Sequence, residues 1–450
     1  MSSLPLLPDA TLGTLWRLAW PIIVSNISVP LSGLIVTGLL GHLPDARYLA
    51  AVTVGVALFD VLFWSFGFLR MGTTGMTSQA FGQHDDTRMR LLLAQSVIVA
   101  AGIGILLVML SPWLIAGGLD LLGGATEVMP LAHRYATCRI WAAPAVLINY
   151  ALLGWLLGRQ QAHQAMWITI ANNIITVVSV IVLVVSWDNR SEGAAWATLV
   201  ADYAALGLGA VLVSRQLKRM SGTVPVASLK KLSAYAEPLR VNSNLLVRTV
   251  CLLLAMSFFT AQGNRLGSTT LSANGVLLEF IMLVSFAMEG FAQATETLTG
   301  QTAGAQHWAR FGAIVRTSAW LALCIALLSL VGFWLGGGWL IDRLTDLPEV
   351  RSTARLYLPW VTVMPLVAIW SYLFDGVFIG ATDTRSMRNT LGLALLLYGL
   401  CWWLTRGYGN HGLWASLLLF MALRSGSLAW RYAHRRRGPW ADGARRSLKG

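Results

Sequence analysis

Nine ionisable side chains stand where such groups are expensive. Asp60, Asp202, Glu279, Glu289, Glu296 and Asp375, with Arg139, Arg248 and Arg424, all fall inside long apolar runs. Charge within a hydrocarbon layer is costly, so each is a functional candidate or one half of a structural pair. A carboxylate that faces the two sides of a membrane in turn can carry a proton, or hold Na+ when oxygen neighbours complete its shell. Asp60 lies eleven residues into its run, "VALFDVLFWSF", and Asp202 nine into its own. Because helical residues rise by a constant step, the two reach similar depth, and a cation shared between them is one reading. The other is a lone carboxylate paired with Arg139 or a backbone donor.

Glu289 and Glu296 are seven residues apart, two turns along one helix face, with Glu279 ten residues before Glu289. Gln293 and Thr297 add hydrogen-bonding groups to that stripe, which must face protein or water. Glu289 reads as a coupling acid or as a partner of Arg248 or Arg424. Glu296 reads as a coupling acid or as a solvated group at the cytoplasmic mouth. Asp375, followed by Gly376, reads as a coupling acid or as a cap on the turn toward Gly380.

The elements that must hold these residues are membrane spans. The chain has 450 residues, 56% hydrophobic and 12% charged, with a mean hydropathy of +0.63; soluble domains carry about a quarter charged residues. Apolar runs fall at 15–40, 49–69, 91–111, 133–157, 165–187 and 193–214, then at 241–261, 269–295, 312–335, 355–379, 388–406 and 411–431. Helices satisfy their own backbone in lipid, which predicts an all-α integral membrane protein of twelve transmembrane helices. Pro21, Pro30, Pro144, Pro359 and Pro365 fall inside these runs, and each removes a helix hydrogen bond. Trp16, Trp113, Trp187, Trp339 and Trp430 sit near predicted span ends, where indoles anchor at the interface.

The runs repeat. Leu49, Ala51, Val54, Thr77, Gln79, Gly82 and Arg88 recur as Leu271, Ala273, Val276, Thr299, Gln301, Gly304 and Arg310, every pair at the same separation. Pro144, Gly154 and Gly158 recur as Pro365, Gly376 and Gly380, and Trp196-Ala197 as Trp414-Ala415. Two six-helix bundles in one orientation follow: a pseudo-symmetric parallel repeat of the kind that builds secondary transporters. The expected division is an N-terminal lobe over 1–214, a basic linker over 215–240, a C-terminal lobe over 241–433 and a basic tail over 434–450. The linker carries Arg215, Lys218, Arg219, Lys230, Lys231 and Arg240 against Glu237, and the 70–90 connection carries Arg70, Arg88 and Arg90. Connections of the other parity are poorer in Lys and Arg, except 336–355, where Asp342, Asp346 and Glu349 accompany Arg343, Arg351 and Arg355; the balance places both termini in the cytoplasm.

Several segments carry a resemblance. "SNISVPLSGLIVTGLLGHL" (25–43), "LRMGTTGMTSQAFG" (69–82), "LLGWLLG" (152–158), "EGFAQATETLTGQTAGA" (289–305) and "FDGVFIGATDTRSMRN" (374–389) resemble the multidrug and toxic compound extrusion (MATE) family, DinF-type branch. The resemblance implies a MATE/MOP-type fold of two lobes in a V, in a bacterial inner membrane. It also implies alternating-access export of amphipathic, often cationic, organic compounds in exchange for H+ or Na+. The branch usually has an Asp in its first span within G-L-V-D-T, where this chain reads Gly33-Leu34-Ile35-Val36-Thr37. It also tends to place Asn and Asp where Ile175 and Ser179 stand here, leaving Asn172 of that polar set. Glu289, Glu296 and Asp375 match acidic positions of the branch, and Arg139, Arg248 and Arg424 match its intramembrane arginines.

The candidates for cation or proton coupling are therefore Glu289, Asp202, Asp60, Asp375 and Glu296. Asn172, Gln293, Thr37 and Arg248 are the polar candidates for a substrate cavity. A monomer in the bilayer is expected, with a small organic substrate, no nucleic-acid partner, no metal and no cofactor beyond the coupling ion. The four cysteines lie in apolar runs without C-x-x-C spacing, which speaks against disulfides and zinc. No H-E-x-x-H or Ser/Lys arrangement points to an enzyme. Two rivals remain: a flippase or exporter of a lipid-linked or anionic metabolite, and an uncoupled facilitator.

Overall fold

A computed structural model describes residues 8–42, 45–123, 125–186, 190–224 and 226–437. The tail beyond 437, Pro225 of the linker and Trp187 lie outside the described residues. Every regular element among the described residues is helical. In chain order the α-helices are α1 (Pro8–Gly41), α2 (Ala46–Ser65), α3 (Phe68–Gly82), α4 (Asp86–Met109), α5 (Ser111–Leu122), α6 (Met129–Arg139), α7 (Ala143–Gly158), α8 (Ala162–Val180) and α9 (Arg190–Lys218). There follow α10 (Val226–Leu229), α11 (Ala236–Arg265), α12 (Ser268–Gly304), α13 (Trp308–Leu344), α14 (Pro348–Gly380), α15 (Thr384–Thr405) and α16 (Asn410–Arg437). A short 3-10 turn, Ile140–Ala142, joins α6 to α7.

Eleven helical stretches among the described residues are long and apolar enough to cross a bilayer. The expected span 388–406 is helical too, as the 22-residue α15, but its polar first turns (Thr384, Arg385, Arg388) keep it out of that set. Two compact units emerge. One is Val24–Asn242; the other is Ser243 onward together with the stretch up to Ile23.

The duplication is visible in the helix ends. Helices α2 and α3 together run 46–82 and α12 runs 268–304, a shift of 222 at both ends. The starts of α4 and α13, the ends of α7 and α14, and the starts of α8 and α15 are related by the same shift. His84, Gln160, Gln306 and Thr382 are the non-glycine residues with positive φ among the described residues, and they form two pairs with that shift. Each closes a helix in the same way, with a backbone bond from the following residue back into the last turn. Examples are Asp85 N to Ala80 O at 3.0 Å and His307 N to Thr302 O at 2.8 Å.

Close packing repeats as well. A Cβ on Gly154 would stand 2.5 Å from the Arg70 carbonyl, and one on Gly376 would stand 2.3 Å from that of Ala292. Small residues therefore let α7 lie against α3 in one unit and α14 against α12 in the other. Thr73 donates to Ser96 at 3.0 Å and Thr295 to Ser318 at 2.8 Å, one bond in two copies.

The sequence placed a connection from 70 onward, and the structure instead continues as α3 to Gly82. Apolar content falls there, but the small polar residues are satisfied locally: Thr74 donates to Arg70 O and Ser78 to Gly75 O. Proline effects also differ by position. Helical structure runs unbroken through Pro21, Pro30, Pro359 and Pro365, whereas Pro144 sits in the first turn of α7, just after the 3-10 break. Trp16, Trp113, Trp339 and Trp430 are exposed, while Trp155 and Trp414 are fully buried.

Candidate functional site

In the unit formed by Val24–Asn242, helices α1, α2, α6, α8 and α9 enclose a cavity of ≈ 350 Å³. Its position follows from packing. Gly55 of α2 leaves room for the Tyr135 ring, whose nearest atom would lie 2.2 Å from an added Cβ. That contact seats α6 against α2 and brings Arg139, one turn beyond Tyr135, to the cavity wall. The lining combines apolar side chains, among them Val36, Leu40, Val52 and Phe63, with Asp60, Asp202, Arg139, Asn172, Asn173 and Thr37.

Arg139 organises the polar side. It donates to Asp202 Oδ2 at 2.6 Å, and its guanidinium lies over the Phe59 and Phe63 rings at 5.9 and 5.2 Å. Asn172 Nδ2 donates to Asp202 Oδ1 at 3.3 Å, and Asn149 Nδ2 to the Asp202 carbonyl at 3.1 Å. The Asn172 side-chain oxygen is buried and accepts no hydrogen bond among the described residues. Asp60, one residue after Phe59, is exposed to the same cavity and interacts electrostatically with Arg139. Thus Asp60 and Asp202, placed at similar depth by counting residues, share one cavity, and Arg139 is hydrogen-bonded to the second. Both acids, the guanidinium and Val36 (where the resembling branch carries Asp) are brought together.

The other unit holds a separate cluster. Asp375 of α14 accepts from both Arg248 of α11 and Arg424 of α16, and the three side chains are buried. Arg424 lies over the Tyr372 ring at 5.8 Å, and the Tyr372 hydroxyl is 2.7 Å from Ser285 Oγ of α12. Glu289 accepts from Gln293 Nε2 at 3.1 Å. Several alternatives left open by the sequence are resolved. Asp375 does not cap a turn, because α14 continues five residues beyond it and its carboxylate points to two other helices. Glu296 is not solvated: it is 2% exposed, since α12 runs on to Gly304 packed against α14. Arg248 and Arg424 are both bound to Asp375. Glu279 is exposed, so the buried stripe does not reach it.

Sequence reasoning did not single out Asn149, Asn173 or Tyr372. Asn173 lines the cavity and donates to Ser28 Oγ at 2.7 Å. The signal for both asparagines was present, a polar amide inside an apolar run. Tyr372 carried none, because aromatics are ordinary in such runs.

The MatE family model matches residues 21–182 and 245–402. This chain belongs to the MATE family. It is 37% identical over 433 residues to DNA damage-inducible protein F of Escherichia coli K12, covering 95% of this chain and 93% of that protein. That places the MATE chain in the DinF branch. Protein DETOXIFICATION 44, chloroplastic, of Arabidopsis thaliana is 24% identical, covering 96% of this chain and 85% of its own. The fold matches a mutant of the Vibrio cholerae MATE transporter VcmN, with a TM-score of 0.85 at 17% identity over 96% and 98% of the two chains. A MOP-superfamily transporter from Pyrococcus furiosus, described as having a binding pocket of reverse polarity, gives 0.83 at 16% identity over 94% and 96%. The MATE family consists of multi-pass membrane transporters, and this chain is one of them.

Proposed function

We propose that the chain is a secondary active exporter of amphipathic organic cations driven by H+ entry, and that exchange takes place at the cavity holding Asp60, Asp202 and Arg139. The observation that carries this reading is the charge balance of that cavity. Two carboxylates face one guanidinium inside an otherwise apolar wall. Arginine stays protonated under all ordinary conditions, so only the acids can change state. With both ionised the group is net negative and attracts a cation; with one protonated it is neutral and releases it. A proton and an organic cation thus compete for the same charge, and competition at a site that alternates between two sides is antiport. Exchange of one proton for one monovalent cation moves no net charge, so the pH difference supplies the work, about 1.4 kcal/mol and roughly a tenfold solute gradient per pH unit.

Apolar walls and the rings of Phe59 and Phe63 suit the body of such a compound. Protons suit the site better than Na+ because Arg139 already occupies the cation position beside Asp202. An anionic headgroup is disfavoured, since Arg139, Arg248 and Arg424 are each bound to an acid. On the same reading the protein works as a monomer in a bacterial inner membrane, with both termini and the 215–240 linker on the cytoplasmic side.

Cells expressing the chain and loaded with a fluorescent lipophilic cation test the reading. Efflux is expected to stop when the proton gradient is collapsed and to continue when sodium is withdrawn. Dependence on sodium alone would overturn the choice of ion, and indifference to both would make the protein a facilitator.

A further inference from the structure

The described residues of the 215–240 connection are too closely tied to α4, and too one-sided in charge, to be a passive tether. Ser221 N and Oγ both donate to Asp86 at the start of α4, at 2.8 and 2.7 Å. Arg90 donates to the carbonyls of Leu217, Met220 and Ser221, which ties down the end of α9. Further along, Gln95 Nε2 donates to Ala234 O at 3.0 Å. Asp86 and Gln95 are nine residues apart on α4, about 13 Å along its axis. The connection therefore descends beside α4 from its polar first turn toward its apolar part.

What this path displays outward is cationic and apolar together. Arg215, Lys218, Arg219, Lys230 and Lys231 are all exposed and have no acid partner among the described residues. The one acid of the segment, Glu237, is held by Arg88 at 3.1 Å and so subtracts nothing from them. Next to the lysine pair, Leu232 is 85% exposed, and Leu239 is 49% exposed one short helical stretch later. Setting membrane orientation needs only the number of positive charges. It does not need them fixed on a docked segment beside exposed leucines.

We infer that this segment is a binding surface for the headgroups of anionic phospholipids, with Leu232 and Leu239 entering the acyl boundary beneath them. Clustered cations at a bilayer surface attract anionic headgroups additively, and the exposed leucines supply the apolar half of an interfacial site. The surface lies within one unit and is independent of the proposed transport reaction.

The full chain, purified in a neutral detergent, would be titrated with phosphatidylglycerol and with phosphatidylcholine, and bound lipid counted by native mass spectrometry. Phosphatidylglycerol is expected to bind at least tenfold more tightly, with the preference fading at high salt. A variant carrying R215Q, K218Q, K230Q and K231Q should lose that preference; K230Q with K231Q alone should weaken it if the fourfold change does not purify. Leu232→Ser should weaken both lipids. Equal binding of the two lipids by the parent would overturn the proposal, as would an unchanged preference in the charge variants. Glycerol phosphate, a headgroup without chains, should not compete at equal concentration; full competition would equally overturn it.

Discussion

Arg139 reaches from α6 to Asp202 on α9 at 2.6 Å, and the two side chains are 13% and 10% exposed. Asp60 shares their cavity without a hydrogen bond to either among the described residues. The two acids should therefore separate experimentally. Removing one partner of a buried pair strands the other charge, a loss of roughly 3–5 kcal/mol. Asp202→Asn is expected near the lower end, about 3 kcal/mol, because Asp60 remains nearby. Asp60→Asn should leave stability nearly unchanged while still impairing coupling. Thermal unfolding in detergent, with both variants side by side, distinguishes these outcomes.

Asp375 carries a heavier structural role. It accepts from two buried guanidiniums, so Asp375→Asn takes a charged partner from two cations where Asp202→Asn takes one from a single cation. The unfolding temperature of Asp375→Asn is expected to fall further than that of Asp202→Asn. Arg248→Met combined with Asp375→Asn should be less harmful than the sum of the two single changes, since neighbours in one network do not add. Strict additivity would show that the cluster does not act as a unit.

The duplicated contact of α7 on α3 and of α14 on α12 gives a paired prediction. A side chain at Gly154 or Gly376 meets a carbonyl of the facing helix at 2.5 or 2.3 Å, and backbone cannot swing aside. Gly154→Val and Gly376→Val should both cut the yield of folded protein severely and to similar degrees. Gly207→Val, where nothing lies within 4 Å of the added Cβ, should express normally. Fluorescence-detected size exclusion reads all three.

His84 and Gln306 are exposed, and both hold a left-handed conformation, at φ 56° and 57°. That conformation costs a side-chain-bearing residue about 1–2 kcal/mol, a cost glycine escapes at some loss of chain entropy. His84→Gly and Gln306→Gly should each stabilise by roughly 0.5–1 kcal/mol. Thermal unfolding that shows a gain in one and a loss in the other would mean the two turns are not equivalent.

Much of this architecture was legible in the residues. The separation read from Thr77, Gln79 and Gly82 and their counterparts is the separation of the helix ends themselves, because turn chemistry was duplicated with the spans. Counting residues from the span starts put Asp60 and Asp202 at one depth, since a helix crossing a membrane converts sequence number into height. Rotation about each helix was harder to read. Nothing local says that Asp202, rather than Asp60, takes the Arg139 bond, or that Asp375 collects two arginines from distant helices. Small polar helices such as α3 escape a reading based on apolar runs, because they are buried through glycine and hydroxyl packing.

Joint exchange of a proton for an organic cation at Asp60 and Asp202 is tested most directly in proteoliposomes. These would hold the parent chain or the Asp60→Asn, Asp202→Asn double variant, with a pH-sensitive dye inside and a lipophilic cation as substrate. The parent should move protons only when substrate is present on the opposite side, and the double variant should lose this flux together with gradient-driven uptake. Undiminished substrate-dependent proton flux in a properly folded double variant would be incompatible with exchange at this pair.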